Sequence, residues 1–417
     1  MAYIKPFKGL RYNLEKTMLK QVIAPPYDII SKDMREALEI KSPYNIVKLI
    51  LPEGENKYAG AAHLLDTWQS EEILLKDELM SFYLYEQEYE FDHKRYSRIG
   101  FIGLAKIEEF KKNIIMPHEK ILSTPVEDRF NLLRECKANL SSVFSLYLDN
   151  EKKLDKLFYY VKKTMPSASA VDDDGVKNTI WVISEEKDVN FLIDFMKDKK
   201  LYIADGHHRY TTALNYMKMM REMNHDGVDN IRDYDFVMMM FVNFYDDGLK
   251  IFPTHRVIDM REDFNIDNFM NKVKKFFDVK MLEGEGKIEE FFSDKAPTRI
   301  IIYFESKYYG IVLKDEFFEG LHPIYRKINT FILHEFIIKN CLSIKDEDVL
   351  KNKGINFVHN FQDVKKLCNV KNTIGFLLPA VNIDVVREIA ENNLTMPQKS
   401  TYFYPKLSSG LVIYKHR

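Results

Sequence analysis

Four apolar residues, Leu201-Tyr202-Ile203-Ala204, run directly into Asp205-Gly206-His207-His208-Arg209, and these into Tyr210-Thr211-Thr212-Ala213-Leu214. No other stretch constrains the fold as tightly. The apolar run reads as a short buried strand, and the pattern from Tyr210 to Met223 reads as a helix. The five residues from Asp205 to Arg209 must then form the turn that joins them. A helix start carries N–H groups with no partner in the helix and a partial positive charge, so it favours anions. Gly206 has no Cβ and lets a ligand approach the backbone. Arg209 has the fork geometry for a two-pronged pair with phosphate. His207 and His208 add donors that titrate near neutrality. Asp205 is the odd member, because a carboxylate beside an anion must serve something else: a Mg²⁺ ion, a proton, or a histidine. The competing reading is a capped helix start with a solvated turn. Four polar residues held between a strand and a helix favour the anion site.

The rest of the chain reads as mixed. Ala24-Pro25-Pro26-Tyr27-Asp28 forbids helix and marks residues 1–30 as irregular. Ser31 caps a helix to about Glu39, and Tyr58 to Glu71 forms another. Residues 81–107 predict two strands turned at Asp92-His93-Lys94. Residues 127–140 predict a helix, and Val143 to Leu148 a strand. Residues 165–178 read as a loop, followed by a strand at Asn178–Ser184 and a helix at Asp188–Met196. Phe236–Tyr245 and Leu249–Ile258 read as a hairpin around Asp246-Asp247-Gly248. Arg299–Tyr303 and Ile374–Leu378 are strands. Helices and hairpins intermix without repeats, so the expected class is α+β, or mixed α/β. Three segments are expected: 1–95, an N-terminal α/β segment; 96–260, a catalytic core; 261–417, a C-terminal α/β domain.

Charge and cysteine usage narrow the function. The 417 residues carry 61 basic and 63 acidic side chains, a net charge of −2. Nucleic-acid binders usually show a basic excess, so no nucleic-acid partner is expected. Cys136, Cys341 and Cys368 form no CxxC pair, which argues against structural zinc and fits a reducing compartment. The start lacks a secretory apolar run, and no stretch reaches the ~18 apolar residues that span a bilayer. The expectation is a cytoplasmic protein with no membrane association. Oligomeric state is unreadable.

Other polar clusters join the candidate site. Pro117-His118-Glu119-Lys120 places a carboxylate beside His118, a pairing suited to a general base. Its spacing is not that of a metalloprotease. Asp128-Arg129, Pro253-Thr254-His255-Arg256 and Met396 to Lys406 each mix cations with hydroxyls, the usual donors to phosphate. From their donor chemistry, Arg129, Thr254, His255, Arg256, Lys399 and Ser400, with His118, are candidate substrate contacts. There is no P-loop, no GxGxxG, no kinase HRD…DFG set and no GxSxG elbow. Phosphoryl transfer here requires another scaffold, or a donor that lacks a base and ribose.

The run Ile203 to Tyr210 resembles the phosphate-binding signature of the ParB/sulfiredoxin-like superfamily, which includes partition proteins, sulfiredoxin and free L-serine kinases. Histidine at both 207 and 208 is closer to the serine kinases. Met116-Pro117-His118-Glu119 resembles their upstream proline-His-Glu element, with a longer separation here that implies an insertion. End to end, the chain is similar to a large domain-of-unknown-function family. The similarity rests on Ala24 to Asp28, Pro117 to Glu119, Ala204 to Tyr210, Pro253 to Arg256 and Met396 to Lys406. That resemblance implies a ParB/sulfiredoxin-like catalytic core with large additional α/β elaborations. It links the chain to serine metabolism, cysteine biosynthesis and pyrophosphate-dependent serine kinases. Glu119 would be the base, Asp205 the second catalytic carboxylate and a Mg²⁺ ligand, and Gly206, His207, His208 and Arg209 would hold phosphates. The implied cofactor is Mg²⁺, with pyrophosphate or a nucleotide (ATP or ADP) as co-substrate and L-serine as acceptor. Rival readings are a phosphoserine phosphatase and a non-catalytic ParB-like nucleotide- or DNA-binding regulator.

Overall fold

The computed structural model describes residues 1–416 except 121–122, 228–229, 261, 263, 295–297, 346–353 and 371. The chain is mixed α/β and divides into two compact units. The first takes residues 1–117, 122–250 and 405–417, and the second takes 118–121 and 251–404. The three segments read from the sequence do not map one-to-one onto these units.

The first unit is built on a nine-stranded sheet. Its order is Ile115–Met116, Leu201–Asp205, Val143–Tyr147, Phe236–Asn243, Lys94–Lys106, Phe82–Phe91, Lys177–Ile183 and Ala168–Val171, with Ile4–Lys5 added to Lys94–Lys106. Leu201–Asp205 runs parallel to Ile115–Met116 and antiparallel to Val143–Tyr147, and Phe236–Asn243 runs parallel to Val143–Tyr147. Val143–Tyr147 and Phe236–Asn243, at the centre, are buried along their whole length and mostly apolar, as suits strands covered on both faces. Leu201, Ile203, Val143, Met239 and Phe241 share one core with Tyr210, Ala213 and Leu214 of the helix His207–Met223. A second helix, Ser123–Cys136, packs on that helix, with the Phe130 and Tyr216 rings edge-to-face at 6.4 Å.

Local chemistry explains most elements. Ser31 accepts a hydrogen bond from the Met34 amide at 3.2 Å and caps Lys32–Lys41, as predicted. Asp92 and His93 both take left-handed backbone (φ 50° and 57°), the geometry of a tight hairpin turn. Two expectations fail. Within the predicted loop 165–178, Ala168–Val171 is a strand paired with Lys177–Ile180. The Asp172-Asp173-Asp174-Gly175 run is only its turn, with the Asp172 carboxylate accepting the Asp174 and Val176 amides. The hairpin predicted over 236–258 does not form either. Phe236–Asn243 pairs with Lys94–Lys106 and Val143–Tyr147 instead. Asp246 accepts from Ile99 and Gly248 amides, and a Cβ on Gly248 would lie 2.2 Å from the Ser97 carbonyl oxygen. The turn is therefore tied back to a neighbouring strand rather than closing on itself.

The second unit has a six-stranded antiparallel sheet in the order Phe277–Leu282, Lys307–Leu313, Ile300–Phe304, Thr373–Leu377, His255–Asp259 and Ile355–Val358. The strand period of two sends alternate residues to opposite faces. Ile300 and Ile302 enter a core with Val273, Phe277 and Ile337, while Ile301 and Tyr303 enter another with Val257 and Val364. The helix Asn329–Ile332 continues into a π-helical stretch, Leu333–Cys341.

Candidate functional site

The turn after Leu201–Asp205 has the strand–turn–helix form read from the sequence. Asp205 closes the strand at a register shift against Phe144 and Ser145. Gly206 is the N-cap, with φ 89° and ψ 29°, a left-handed backbone that strains any residue with a Cβ. The helix starts at His207, three residues earlier than the apolar pattern alone predicts. Tyr210 anchors its first turn: it is fully buried, and its hydroxyl donates to the Glu108 carbonyl at 2.7 Å and accepts the Glu108 amide at 2.9 Å.

The carboxylate of Asp205 sits between two cations. Arg209 Nη2 lies 2.8 Å from one oxygen and Lys406 Nζ 2.8 Å from the other. Arg209 also donates to the Ser142 carbonyl. Asp205 thus holds two positive groups beside a helix start, which explains a carboxylate in an anion cradle. Lys406 escaped single-residue notice in the sequence, since 201 positions separate it from Asp205.

Lys406 is itself held. Gln87 Nε2 donates to the Lys406 carbonyl at 2.9 Å, and the fully buried Arg98 donates to Gln87 Oε1 and to the Pro405 carbonyl. Burial pushes Arg98 down to about 10, against the pull of Tyr85, Tyr89, Asp246 and Asp205. Neither Arg98 nor Gln87 carries a sequence signal, because each lies in a strand whose pattern only announces burial.

Arg129 comes to the same cavity as Arg209. A pocket of about 60 Å³ is lined by both, with Tyr27, Asn139, Ser141 and Thr212. The Arg129 guanidinium lies 4.1 Å from the Tyr27 ring centroid and donates to Asp128 and the Ile50 carbonyl. Burial raises Asp128, but Arg129, Tyr58 and Lys57 overcome it and hold the carboxyl down at about 2. Tyr27 belongs to Ala24-Pro25-Pro26-Tyr27-Asp28, so that segment supplies a ring beneath a buried arginine.

The remaining candidates gather in the second unit. His118 is fully buried, and its Nε2 lies 2.9 Å from Thr401 Oγ1. Glu119 bridges to Met396 in parallel register and accepts the Ser400 amide at 3.1 Å. The Ser400 hydroxyl donates to the Pro397 carbonyl at 2.6 Å and accepts from Thr330 at 2.8 Å. Lys399 takes left-handed backbone (φ 52°), and Arg256 grips its carbonyl at 2.8 Å, that of Gln398 at 3.1 Å and that of Thr254 at 2.6 Å. Burial pushes Arg256 down to about 9, against the raising effect of Glu119. Thr254 and Arg256 therefore join Glu119, Lys399 and Ser400 through the 396–400 segment. The Thr254 hydroxyl is buried with no hydrogen-bond partner among the described residues. His255 stands apart in role: its Nδ1 accepts the Leu378 amide at 3.1 Å, and burial, then Arg256 and His359, push it down to about 4. It is neutral at pH 7 and serves the sheet.

A family model described as "Protein of unknown function (DUF1015)" matches residues 4–331. The chain belongs to that family. The match spans four of the five segments that carried the resemblance, with Met396 to Lys406 lying beyond it. Nothing among curated proteins matches the sequence. Among solved structures, a free serine kinase variant in complex with AMP is similar at a TM-score of 0.37 and 11% identity, covering 71% of this chain and 85% of that one. A conserved hypothetical protein from Pyrococcus furiosus is similar at 0.36 and 12%, covering 72% and 90%. SbnI with a C-terminal truncation, from Staphylococcus aureus, is similar at 0.36 and 8%, covering 73% and 84%. No helix among the described residues is long and apolar enough to cross a membrane.

Proposed function

We propose that this protein is a phosphotransferase that converts free L-serine to O-phospho-L-serine, with pyrophosphate as the donor. The observation that carries the reading is the turn itself. A left-handed glycine opens a 17-residue helix, and Asp205 beside it holds Arg209 and Lys406 at 2.8 Å each. In this reading Gly206, His207, His208 and Arg209 take the phosphates, and the cations meet the negative charge that spreads over the phosphoryl oxygens in the transition state. Glu119 takes the proton of the serine hydroxyl. Its carboxylate accepts the Ser400 amide at 3.1 Å, a contact that fixes the side chain in place. The small cavity beside Arg129 and Arg209 supports a compact donor.

Mg²⁺ fits this site as a companion of the donor rather than as a resident of the protein. Among the described residues no group of three or more His, Cys, Asp or Glu could hold a metal. Asp205 is the single carboxylate of the turn, and it would have to release Arg209 or Lys406 to bind an ion. Bound Mg²⁺ would neutralise donor phosphate oxygens, most of its ligands being phosphate and water.

The test is an assay of the purified full chain with L-serine, Mg²⁺ and pyrophosphate, ATP or ADP in turn, read as O-phosphoserine. Pyrophosphate is expected to be the productive donor. Absence of product with every donor ends the kinase reading. Glu119→Gln should lower turnover by ~10²–10⁴-fold, the usual scale for general-base loss. Near-normal turnover in that variant would remove Glu119 from the role.

A further inference from the structure

Within the second unit, a single peptide group joins a buried arginine to the carboxylate of Glu119. The Lys399 carbonyl accepts from Arg256 Nη2 at 2.8 Å, and the Ser400 amide donates to Glu119 Oε1 at 3.1 Å. Both atoms belong to the peptide unit between Lys399 and Ser400. A trans peptide is planar, with its C=O and N–H pointing in opposite directions, so whatever fixes the oxygen also aims the hydrogen. Arg256 therefore sets the direction of the donor that Glu119 accepts.

The 396–400 segment needs such a hold. Lys399 takes φ 52°, a backbone that residues with a Cβ avoid unless their surroundings impose it. The Arg256 fork spans the turn, reaching the Gln398 carbonyl at 3.1 Å besides that of Lys399, and it meets the Thr254 carbonyl at 2.6 Å. At its start the segment is tied to the backbone around Glu119. The Met396 amide donates to the His118 carbonyl at 2.8 Å, and the Lys120 amide donates to the Met396 carbonyl at 3.2 Å. Glu119 is thus held through its neighbours' backbone by Met396 and through its carboxylate by Ser400.

Arg256 is itself firmly placed. Its strand, His255–Asp259, is paired on both sides, with Arg256 opposite Phe357 on one neighbour and Phe376 on the other. The guanidinium lies 4.4 Å from the Phe357 ring centroid. The residue is 4% exposed, and a charge so buried must be hydrogen-bonded or paired. The three carbonyls supply the bonds, and Glu119 supplies an opposing charge that acts on it.

We propose that Arg256 is a positioning residue for Glu119, acting through the Lys399–Ser400 peptide to fix the carboxylate for the acceptor hydroxyl. The proposal rests on Glu119 being the base of the proposed reaction. It gives Arg256 no contact with substrate.

The test is steady-state kinetics of the full chain with L-serine, Mg²⁺ and pyrophosphate, for Arg256→Lys alone and combined with Glu119→Gln. Lysine keeps the charge and loses the planar fork that spans two carbonyls. The kcat should fall about tenfold, part of the ~10²–10⁴-fold that a general base supplies. KM for pyrophosphate should stay within about twofold, because the loss lies in the chemical step. In the Glu119→Gln background the same change should cost less than about twofold, since the group it aims is gone. Unchanged kcat, or equal losses in both backgrounds, overturns the proposal. Should Arg256→Lys fail to fold, Phe357→Leu keeps the arginine and removes the ring it lies on. A several-fold fall in kcat, again absent beside Glu119→Gln, is expected there, and wild-type kcat or equal losses count against the role. Exchange of the Ser400 amide, followed by NMR without substrates, is independent of the reaction. It should quicken about tenfold in Arg256→Lys as the turn opens locally, and wild-type exchange breaks the link from Arg256 to the peptide. If the wild type makes no O-phosphoserine, the kinase reading falls, and the exchange result still decides that link.

Discussion

Gly206 is where backbone geometry and chemistry meet in a single residue. Its φ of 89° is closed to most side chains, and a Cβ there would stand 3.0 Å from the Arg209 guanidinium. A left-handed residue with a Cβ costs ~1–2 kcal/mol. Gly206→Ala should therefore lower the free energy of unfolding by about that amount and push Arg209 off Asp205, weakening pyrophosphate binding with it. Gly206→Asn, whose side chain tolerates this backbone better, should fall between alanine and the wild type. Urea denaturation of the three proteins measures the series, and an alanine variant as stable as the wild type would mean the turn relaxes to another conformation. This residue was legible in the sequence because few other residues sit between a buried strand and a helix start without strain.

At the scale of elements, legibility follows locality. The strand–turn–helix at 201–223, the Ser31 cap and the turn at Asp92-His93 depend on neighbours in the chain, and each forms where the sequence places it. The pairings that failed are long-range. Phe236–Asn243 has a turn-like run after it, yet its partners are Lys94–Lys106 and Val143–Tyr147, chosen by the buried sheet. The Lys406–Asp205 pair and its support are long-range too. Arg98 and Gln87 clamp the Pro405–Lys406 backbone, so three distant segments deliver one ammonium group to one carboxylate. Arg98→Met should leave Gln87 Oε1 and the Pro405 carbonyl without this donor, at ~1–3 kcal/mol for each buried unsatisfied group. Removing a buried charge also removes its desolvation cost, which places the net loss towards the low end. The sharper readout is pyrophosphate affinity, which should fall as Lys406 loses its anchor. A variant that is less stable but binds pyrophosphate normally would show that the clamp serves packing alone.

Across the whole molecule, the chain threads its units out of order. Residues 405–417 return to the first unit after the second has been completed, and Tyr414–Lys415 pairs there with Ala138–Asn139. Each unit has its own buried cores, so each has its own source of cooperativity. The two tryptophans, Trp68 and Trp181, are both buried in the first unit. Tryptophan fluorescence therefore reports on that unit, whereas far-ultraviolet circular dichroism reports on both. Guanidinium unfolding followed by the two probes should give curves that do not coincide, with part of the dichroism change occurring outside the fluorescence transition. Pyrophosphate binds the native turn in the first unit under the proposed function. By mass action it should then move the fluorescence midpoint upward, by RT ln(1 + [L]/Kd) in stability. The dichroism change that belongs to the second unit should move less. Coincident curves at every pyrophosphate concentration would instead mean that both units unfold as one cooperative body.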